Sequence, residues 1–321
     1  MVVVTEPEHE TLGSLGEAAV LGRIFPRLPD AAVALIGPGD DAAVLAAPDG
    51  RYVVTIDTMV HGPDFRLAWS TPHDLGWKAA ATNLSDIAAM GARPTALVVA
   101  VAAPPETPVS LLEGLADGLR DACAALAPGC GVVGGDLSVS ATLVIAVTAF
   151  GDLEGRDAVL RAGACPGDIV ALSGSIGLAA EGLALLFERA VDADGMPDAA
   201  RAHGLRSEFA ATLDAQLTPR PPLGDGVAAA IAGATSMLDV SDGLAIDARR
   251  IADASGVRLD LDAAAIGSPI ALAGGEDHAL LATFPAAFAE AGSSLPGGFR
   301  RIGTVREGSG ISIDGRPYGE R

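Results

Sequence analysis

Gly37-Pro38-Gly39-Asp40-Asp41-Ala42-Ala43-Val44, followed by Tyr52-Val53-Val54-Thr55-Ile56-Asp57, sets two adjacent carboxylates on a turn and a third at the end of a short apolar run. Gly, Pro and Asp are ordinary turn formers, and an apolar run of this length reads as a strand. An acid late in such a strand is expensive unless it is exposed or paired. Three further stretches repeat the design: Asn83-Leu84-Ser85-Asp86, Gly134-Gly135-Asp136 and Asp239-Val240-Ser241-Asp242-Gly243. A glycine pair with acids behind it, Gly274-Gly275-Glu276-Asp277, precedes another apolar run. Each stretch alone reads as a turn, a solvated face or a helix N-cap. Five of one design are read together, as acids that converge on magnesium ions holding a nucleoside triphosphate.

Outward from this stretch, strands are expected at 32–36 and 51–60. A long helix opens at Ser70-Thr71-Pro72-His73-Asp74 and ends at Gly91, with Pro94 preventing its continuation. Along it Trp77, Ala81, Leu84 and Ala88 share an apolar stripe, and Asn83 and Asp86, three apart, are surface neighbours. A strand at 96–103, a second helix carrying Leu111, Leu115, Leu119 and Leu126, and strands at 131–135 and 142–150 complete the first half. There Gly134-Gly135-Asp136 reads as a strand-to-loop corner, where glycines let the backbone approach a ligand. Pro166-Gly167-Asp168 lies in a Gly- and charge-rich junction, so the units are 1–150 and 151–321. The second half restarts with strands at 169–173, 236–240, 257–261, 279–284, 299–305 and 311–313. Helices are expected at 207–216, 222–232, 243–254 and 285–292, and 190–206 reads as a polar surface excursion. Both halves mix strands and helices, which places the chain in the α/β (α+β) class twice over.

The 321 residues are 50% apolar and 19% charged, enough for a sizeable packed core. Asp and Glu number 41 against 21 Lys and Arg, a net charge of -20, which disfavours nucleic acid and anionic membranes as partners. The same field repels a phosphorylated substrate unless divalent cations intervene. Lys78 is the single lysine, so no P-loop is possible and a Schiff-base or kinase-like lysine has one candidate. Cys123, Cys130 and Cys165 have neither zinc nor disulfide spacing and read as reduced thiols. The N-terminus lacks a signal-peptide pattern, and no apolar run reaches the ~18 residues of a membrane span, so a cytoplasmic location is expected.

Taken in order, Gly39-Asp40-Asp41-Ala42, Asp57-Thr58-Met59-Val60, the run from Asn83 through Asp86 to Met90-Gly91-Ala92, Gly134-Gly135-Asp136, Asp239 through Gly243 and Gly274 through Asp277 resemble the thiamine-monophosphate kinase family. That family lies within the aminoimidazole ribonucleotide synthetase superfamily, and the match runs from about residue 12 to the C-terminus. The resemblance implies the two-domain synthetase-like fold: an N-terminal domain whose strands pair across a homodimer, and a C-terminal α/β domain closing the cleft. It implies ATP-dependent, magnesium-assisted phosphorylation of thiamine monophosphate to thiamine diphosphate. Carried over by position, Asp41, Thr55, Asp57, Asp86, Asp136, Asp239 and Asp242 are expected magnesium ligands, with Ile56 contributing backbone only. Gly135, Asp136, Arg161 and Ser241 are expected ATP contacts. Glu276 is an expected substrate contact. Two departures touch substrate recognition. Asp64, in Gly62-Pro63-Asp64-Phe65, stands where many members carry a histidine, and Tyr318 is the remaining aromatic of a C-terminal motif that stacks on the thiamine rings.

The expected chemistry needs no base, because a phosphate monoester with a second pKa of ~6 is already largely dianionic. It needs charge neutralisation and in-line alignment of two anionic phosphates. Rivals of the same superfamily are aminoimidazole ribonucleotide synthetase and selenophosphate synthetase, which also use ATP and magnesium, and nucleotide-binding hydrogenase-maturation members. Selenophosphate synthetase normally carries a reactive Cys and Lys near its N-terminus, and the maturation members typically end in a cysteine-bearing tail. Here the first cysteine is Cys123, and the chain ends Tyr-Gly-Glu-Arg.

Overall fold

The structure, a computed structural model, describes residues 10–37, 42–290 and 294–319. Asp41, together with Gly39 and Asp40 of the opening turn, lies outside the described residues.

The first half is a four-stranded sheet backed by two helices. Its strands are β1 (Val53–Val60), β2 (Arg93–Ala103), β3 (Gly131–Val139) and β4 (Val144–Asp152), in the spatial order β1-β4-β2-β3. All pairs are antiparallel except β2 with β3. Helices α1 (Pro72–Ala89) and α2 (Val109–Leu126) cover one face. Thr71 and Asp74 form the capping box at the start of α1: Thr71 Oγ1 accepts from the Asp74 amide at 3.1 Å, and Asp74 returns the bond to the Thr71 amide at 2.9 Å. Gly91, at φ 75°, turns the chain out of the helix.

The expected stripe on α1 proves too narrow. The helix is buried on nearly every side, because it is wedged between the sheet, α2 and the second half of the chain. Small residues make this possible. A Cβ on Gly76 would stand 2.0 Å from the Leu115 carbonyl oxygen, and one on Gly118 would stand 2.1 Å from that of His73. The two backbones therefore touch.

Residues 131–139 also differ from expectation. The strand does not end at Gly134-Gly135-Asp136; it runs on through Val139, since Leu137 continues the apolar pattern and Asp136 pairs in parallel register with Ala100.

The second half is a seven-stranded sheet. Its members are β5 (Ile169–Ser173), β6 (Ser236–Val240), β7 (Arg258–Leu261), β8 (Ala279–Phe284), β9 (Arg300–Arg306), β10 (Gly310–Ile313) and β11 (Arg316–Pro317), in the order β11-β10-β7-β9-β5-β8-β6. Period-two alternation divides the central strands between two cores. Val170, Leu172, Leu238, Val240 and Leu281 face one, while Ile169, Ala171, Met237, Leu280 and Phe284 face the other. With both faces covered these strands are buried throughout and mostly apolar, which is why they read as near-continuous runs in the sequence.

The helices of this half are α3 (Leu178–Arg189), α4 (Ala199–Glu208), α5 (Ala210–Leu217), α6 (Leu223–Ile231) and α7 (Leu244–Ser255), besides shorter turns. Helix α4 falls inside the stretch expected to be irregular. Asp198 caps it by accepting from the Arg201 amide at 3.0 Å, and Ala202 and Leu205 bury against Trp69. Gly226 of α6 lies so close to α1 that a Cβ would meet the Ala88 carbonyl oxygen at 2.1 Å. Helix α1 is thus the shared wall between the halves.

Candidate active site: an acidic cleft along α1

The cleft is assembled where β1 and α1 of the first half meet the ends of β6 and β8 of the second. Thr55 and Asp57 leave β1 toward α1. Thr55 Oγ1 donates to Asp86 Oδ2 at 2.8 Å, and the Asp57 amide donates to Asn83 Oδ1 at 3.0 Å. Asn83 is oriented in turn by donating to the Ala79 carbonyl at 2.9 Å. Its amide therefore fixes the strand end carrying Asp57.

From the opposite wall come Asp239, at the end of β6, and Asp242, on the turn into α7. Arg250 of α7 bridges Asp242 and the fully buried Asp247, each at 2.6 Å, and the Asp242 amide donates to Asp247 at 3.0 Å. The loop before β8 is strapped to this turn: the Glu276 amide donates to the Ser241 carbonyl at 2.8 Å and the His278 amide to that of Val240 at 2.9 Å. Glu276 and His278 both adopt left-handed backbone, φ 69° and 51°. That conformation is uncommon for non-glycine residues and recurs at functional sites. Asp277, between them, accepts from the amides of Gly177 and Ala179 at 2.6 and 3.0 Å, so it caps α3 and is spent on structure.

Two cavities open along the cleft. One, of about 290 Å³, is lined by Asp57, Asp64, Lys78, Ser241, Asp242, Glu276 and His278, with Thr58, Met59 and Thr82. The other, of about 230 Å³, brings Thr55, Asp86, Arg161 and Asp239 together.

Charge crowding is visible in the ionisation behaviour. Burial, then the neighbouring Asp239 and Asp57 charges, push Asp86 up to about 7, against a lowering contribution from Thr55. Burial also raises Asp57, with Asp239, Glu276 and Asp242 adding to it and His278 opposing. Burial opposes ionisation of Glu276, but the Lys78 ammonium, 2.6 Å away, outweighs it and holds the carboxyl below its ordinary value. Burial likewise disfavours charged His278, yet the hydrogen bond to Asp239 at 3.2 Å reverses the sign and raises it.

Several carboxylates from separate loops, with Asp57 and Asp86 raised first by burial and then by neighbouring acids, form a donor set suited to a hard divalent cation. Among the described residues no three Asp, Glu, His or Cys side chains already form a closed cage. Magnesium retains waters and takes phosphate oxygens, so such a cage is not required for it.

The remaining expected residues fall elsewhere. Asp136 sits mid-strand on β3, at the opposite edge of the sheet from β1, and Gly135 beside it adjoins α2. Within one chain, therefore, neither joins Asp57 and Asp86. Ile56 is 62% exposed on β1. Asp64 accepts from the Val60 amide at 2.7 Å, which closes its own turn while it still lines the larger of the two cleft cavities. Tyr318 lines a separate, mostly apolar cavity of about 490 Å³ with Leu272, Ala273 and Ile313; Ala273 immediately precedes the Gly274–Glu276 loop.

Sequence reasoning missed His278, whose only signal was its place directly behind Glu276-Asp277. Lys78 stood out as the single lysine but without a role.

Residues 39–153 match the family model for AIR synthase related protein, N-terminal domain. The chain is 44% identical to a thiamine-monophosphate kinase of Mycobacterium tuberculosis, over 97% of this chain and 91% of that protein. Among solved structures, it superposes on the thiamine-monophosphate kinase of Stenotrophomonas maltophilia with a TM-score of 0.78 at 31% identity, covering 97% of this chain and 99% of that one. It also superposes on a complex described as AaThiL with AMPPCP and TMP, with a TM-score of 0.70 at 28% identity, covering 98% of each chain. The fold is the mixed α/β fold of these proteins.

Proposed function

The chain belongs to the thiamine-monophosphate kinase family, and on that premise we propose that it transfers the γ-phosphoryl group of ATP to thiamine monophosphate, giving thiamine diphosphate and ADP. The observation that carries this reading is the acidic cleft itself, in a chain 44% identical to a thiamine-monophosphate kinase over nearly its whole length.

One terminal oxygen of the acceptor phosphate bonds to the γ-phosphorus as the bridge to the β-phosphate breaks. The acceptor oxygen is already anionic, so no proton has to be removed. The reaction therefore asks for alignment and charge neutralisation, and not for a base. Magnesium, when bound, neutralises the phosphate charge and keeps the two anions in line. Asp57, Asp86, Asp239 and Asp242 would hold it, with Thr55, Asp41, the Ile56 backbone and Asp136 completing the set for several ions. Thr55 keeps Asp86 oriented, Asn83 keeps the Asp57 strand end in place, and Arg250 keeps Asp242 from turning away. Arg161 and Ser241, with Gly135 and Asp136, would contact ATP. Glu276 and Asp64 would meet the acceptor, and the apolar cavity at Tyr318 suits its aromatic rings.

A homodimer fits the same reading. The sheet face away from α1 and α2 leaves Val54 and Ile56 on β1 more than half exposed, and Val139 at the end of β3 is exposed as well. Because Asp136 lies on β3, away from β1 within one chain, its expected part in the metal set would have to come from a second copy. The division into 1–150 and 151–321 is supported by the two large sheets, the four-stranded one ending at Asp152 and the seven-stranded one beginning at Ile169. A cytoplasmic location is supported by three free cysteines. Among the described residues no helix is long and apolar enough to cross a membrane.

The test is turnover with ATP, magnesium and thiamine monophosphate, run beside unphosphorylated thiamine and formylglycinamidine ribonucleotide. Thiamine diphosphate is expected from the monophosphate alone, with no stable phosphate left on the enzyme. Product from the ribonucleotide instead would move the chain to another activity of the superfamily.

A further inference from the structure

The larger of the two cleft cavities is lined by the carboxylates of Asp57, Asp64, Asp242 and Glu276. A phosphate monoester entering it as acceptor brings nearly two more negative charges at neutral pH. Among the side chains lining that cavity, Lys78 is the one that carries an amine.

Lys78 lies within α1 and is 6% exposed, in a helix that is buried on nearly every side. Burying an ammonium is costly unless it is paired. Its Nζ donates to Glu276 Oε2 at 2.6 Å, and with the Gln216 amide turned to satisfy both its ends, to Gln216 Oε1 at 3.1 Å. An ammonium has three N–H donors. Two are accounted for, and the third is available to the cavity.

A second, independent sign of a missing polar ligand lines the same cavity. His278 is 4% exposed; its Nδ1 faces Asp239, and its Nε2 is buried without any hydrogen-bond partner. Buried polar atoms in folded proteins are nearly always satisfied, so an unpartnered ring nitrogen on a cavity-lining histidine calls for a polar partner.

We propose that Lys78 is a specificity-determining residue that reads the phosphate of the acceptor, with His278 Nε2 as its companion on the same cavity, so that thiamine monophosphate is selected over thiamine. The inference rests on the kinase reading above and deepens it. Glu276 holds the ammonium in place before substrate arrives, and the free N–H meets the phosphate oxygen.

Because Lys78 is the single lysine, protein labelled with side-chain ¹⁵N-lysine gives one Nζ resonance. With magnesium and a non-hydrolysable ATP analogue present, thiamine monophosphate is expected to shift that resonance and thiamine to leave it in place. Calorimetry on Lys78→Met is expected to show affinity for thiamine monophosphate reduced about 10- to 100-fold, the range of a charge-assisted hydrogen bond. Affinity for thiamine should be unchanged, and Lys78→Arg should recover part of the loss. An Nζ resonance unmoved by a monophosphate that calorimetry shows to be bound overturns the proposal, as does an equal loss of both ligands in Lys78→Met. The NMR measurement needs no variant, so it stands even if Lys78→Met does not fold. Wild-type protein that binds the nucleotide but neither thiamine compound overturns the kinase reading, and this proposal with it.

Discussion

Asp86 shows how one residue trades stability for function. It is half-buried near Asp57 and Asp239, receives a hydrogen bond from Thr55, and is pushed up to about 7. A carboxylate whose folded pKa exceeds its unfolded value favours the folded state in its protonated form. Its contribution is full below about pH 4 and is lost as pH rises toward about 7. His278, also raised, acts with the same sign above its unfolded value. Metal-free protein should therefore lose thermal stability between pH 5 and 7.5, and magnesium should restore it by holding the ionised form. In Asp86→Asn the drop should shrink and the metal-free Tm at pH 7.5 should rise, while kcat falls at least about 100-fold, as expected when charge stabilisation of a transition state is removed. Thermal scans with chelator and with magnesium, beside turnover assays, check all three. Asp86 was legible in the sequence because an isolated acid in an alanine-rich helix has little structural excuse. His278 was not, since its chemistry comes from Asp239, 39 residues earlier in the chain.

At the scale of the element, α1 governs the site. One face supplies Asn83 and Asp86 to β1, its body supplies Lys78 to Glu276, and its last turn receives α6. Its start and stop follow from local chemistry: the Thr71/Asp74 box, proline in the first turn, and Gly91 after the end. Its burial does not, because the packing of α2 and α6 depends on glycines that look unremarkable in the sequence. Gly76→Ala would force a methyl to within 2.0 Å of the Leu115 carbonyl oxygen. We expect it to destabilise the protein by about 1–3 kcal/mol, the range for overpacking a close contact, measured by urea unfolding. The helix must shift to admit the methyl, so activity should fall even under conditions where the variant stays folded. Strand β3 gives the complementary lesson. A Gly-Gly-Asp run was read as a corner, and sheet pairing with β2 carried it through as a strand.

For the whole molecule, the exposed β1 side of the first sheet, beyond the part that residues 31–34 and 43–45 cover, is the apolar surface a single chain leaves without a partner among the described residues. Val54, 55% exposed, lies there on β1. Placing a charge in an apolar contact between copies leaves it desolvated and unpaired, so, if the proposed homodimer forms through this face, Val54→Asp should yield monomers in analytical ultracentrifugation. Turnover should fall with it if Asp136 acts across the interface; a fully active monomer would rule out that arrangement. The sequence by itself determined the class of fold, the apolar strands of the second half, the acids at turns and strand ends, and the kinship that follows from their order. These are local: each rests on propensity, periodicity or a motif a few residues long. Tertiary structure alone decided which acids meet. It gathered Asp57, Asp86 and Asp239 into one crowded cleft, spent Asp277 on capping α3, left Asp136 on the far edge, and paired Lys78 with Glu276 and His278 with Asp239. Such convergence depends on the packing of two sheets against one helix, and no spacing along the chain records it.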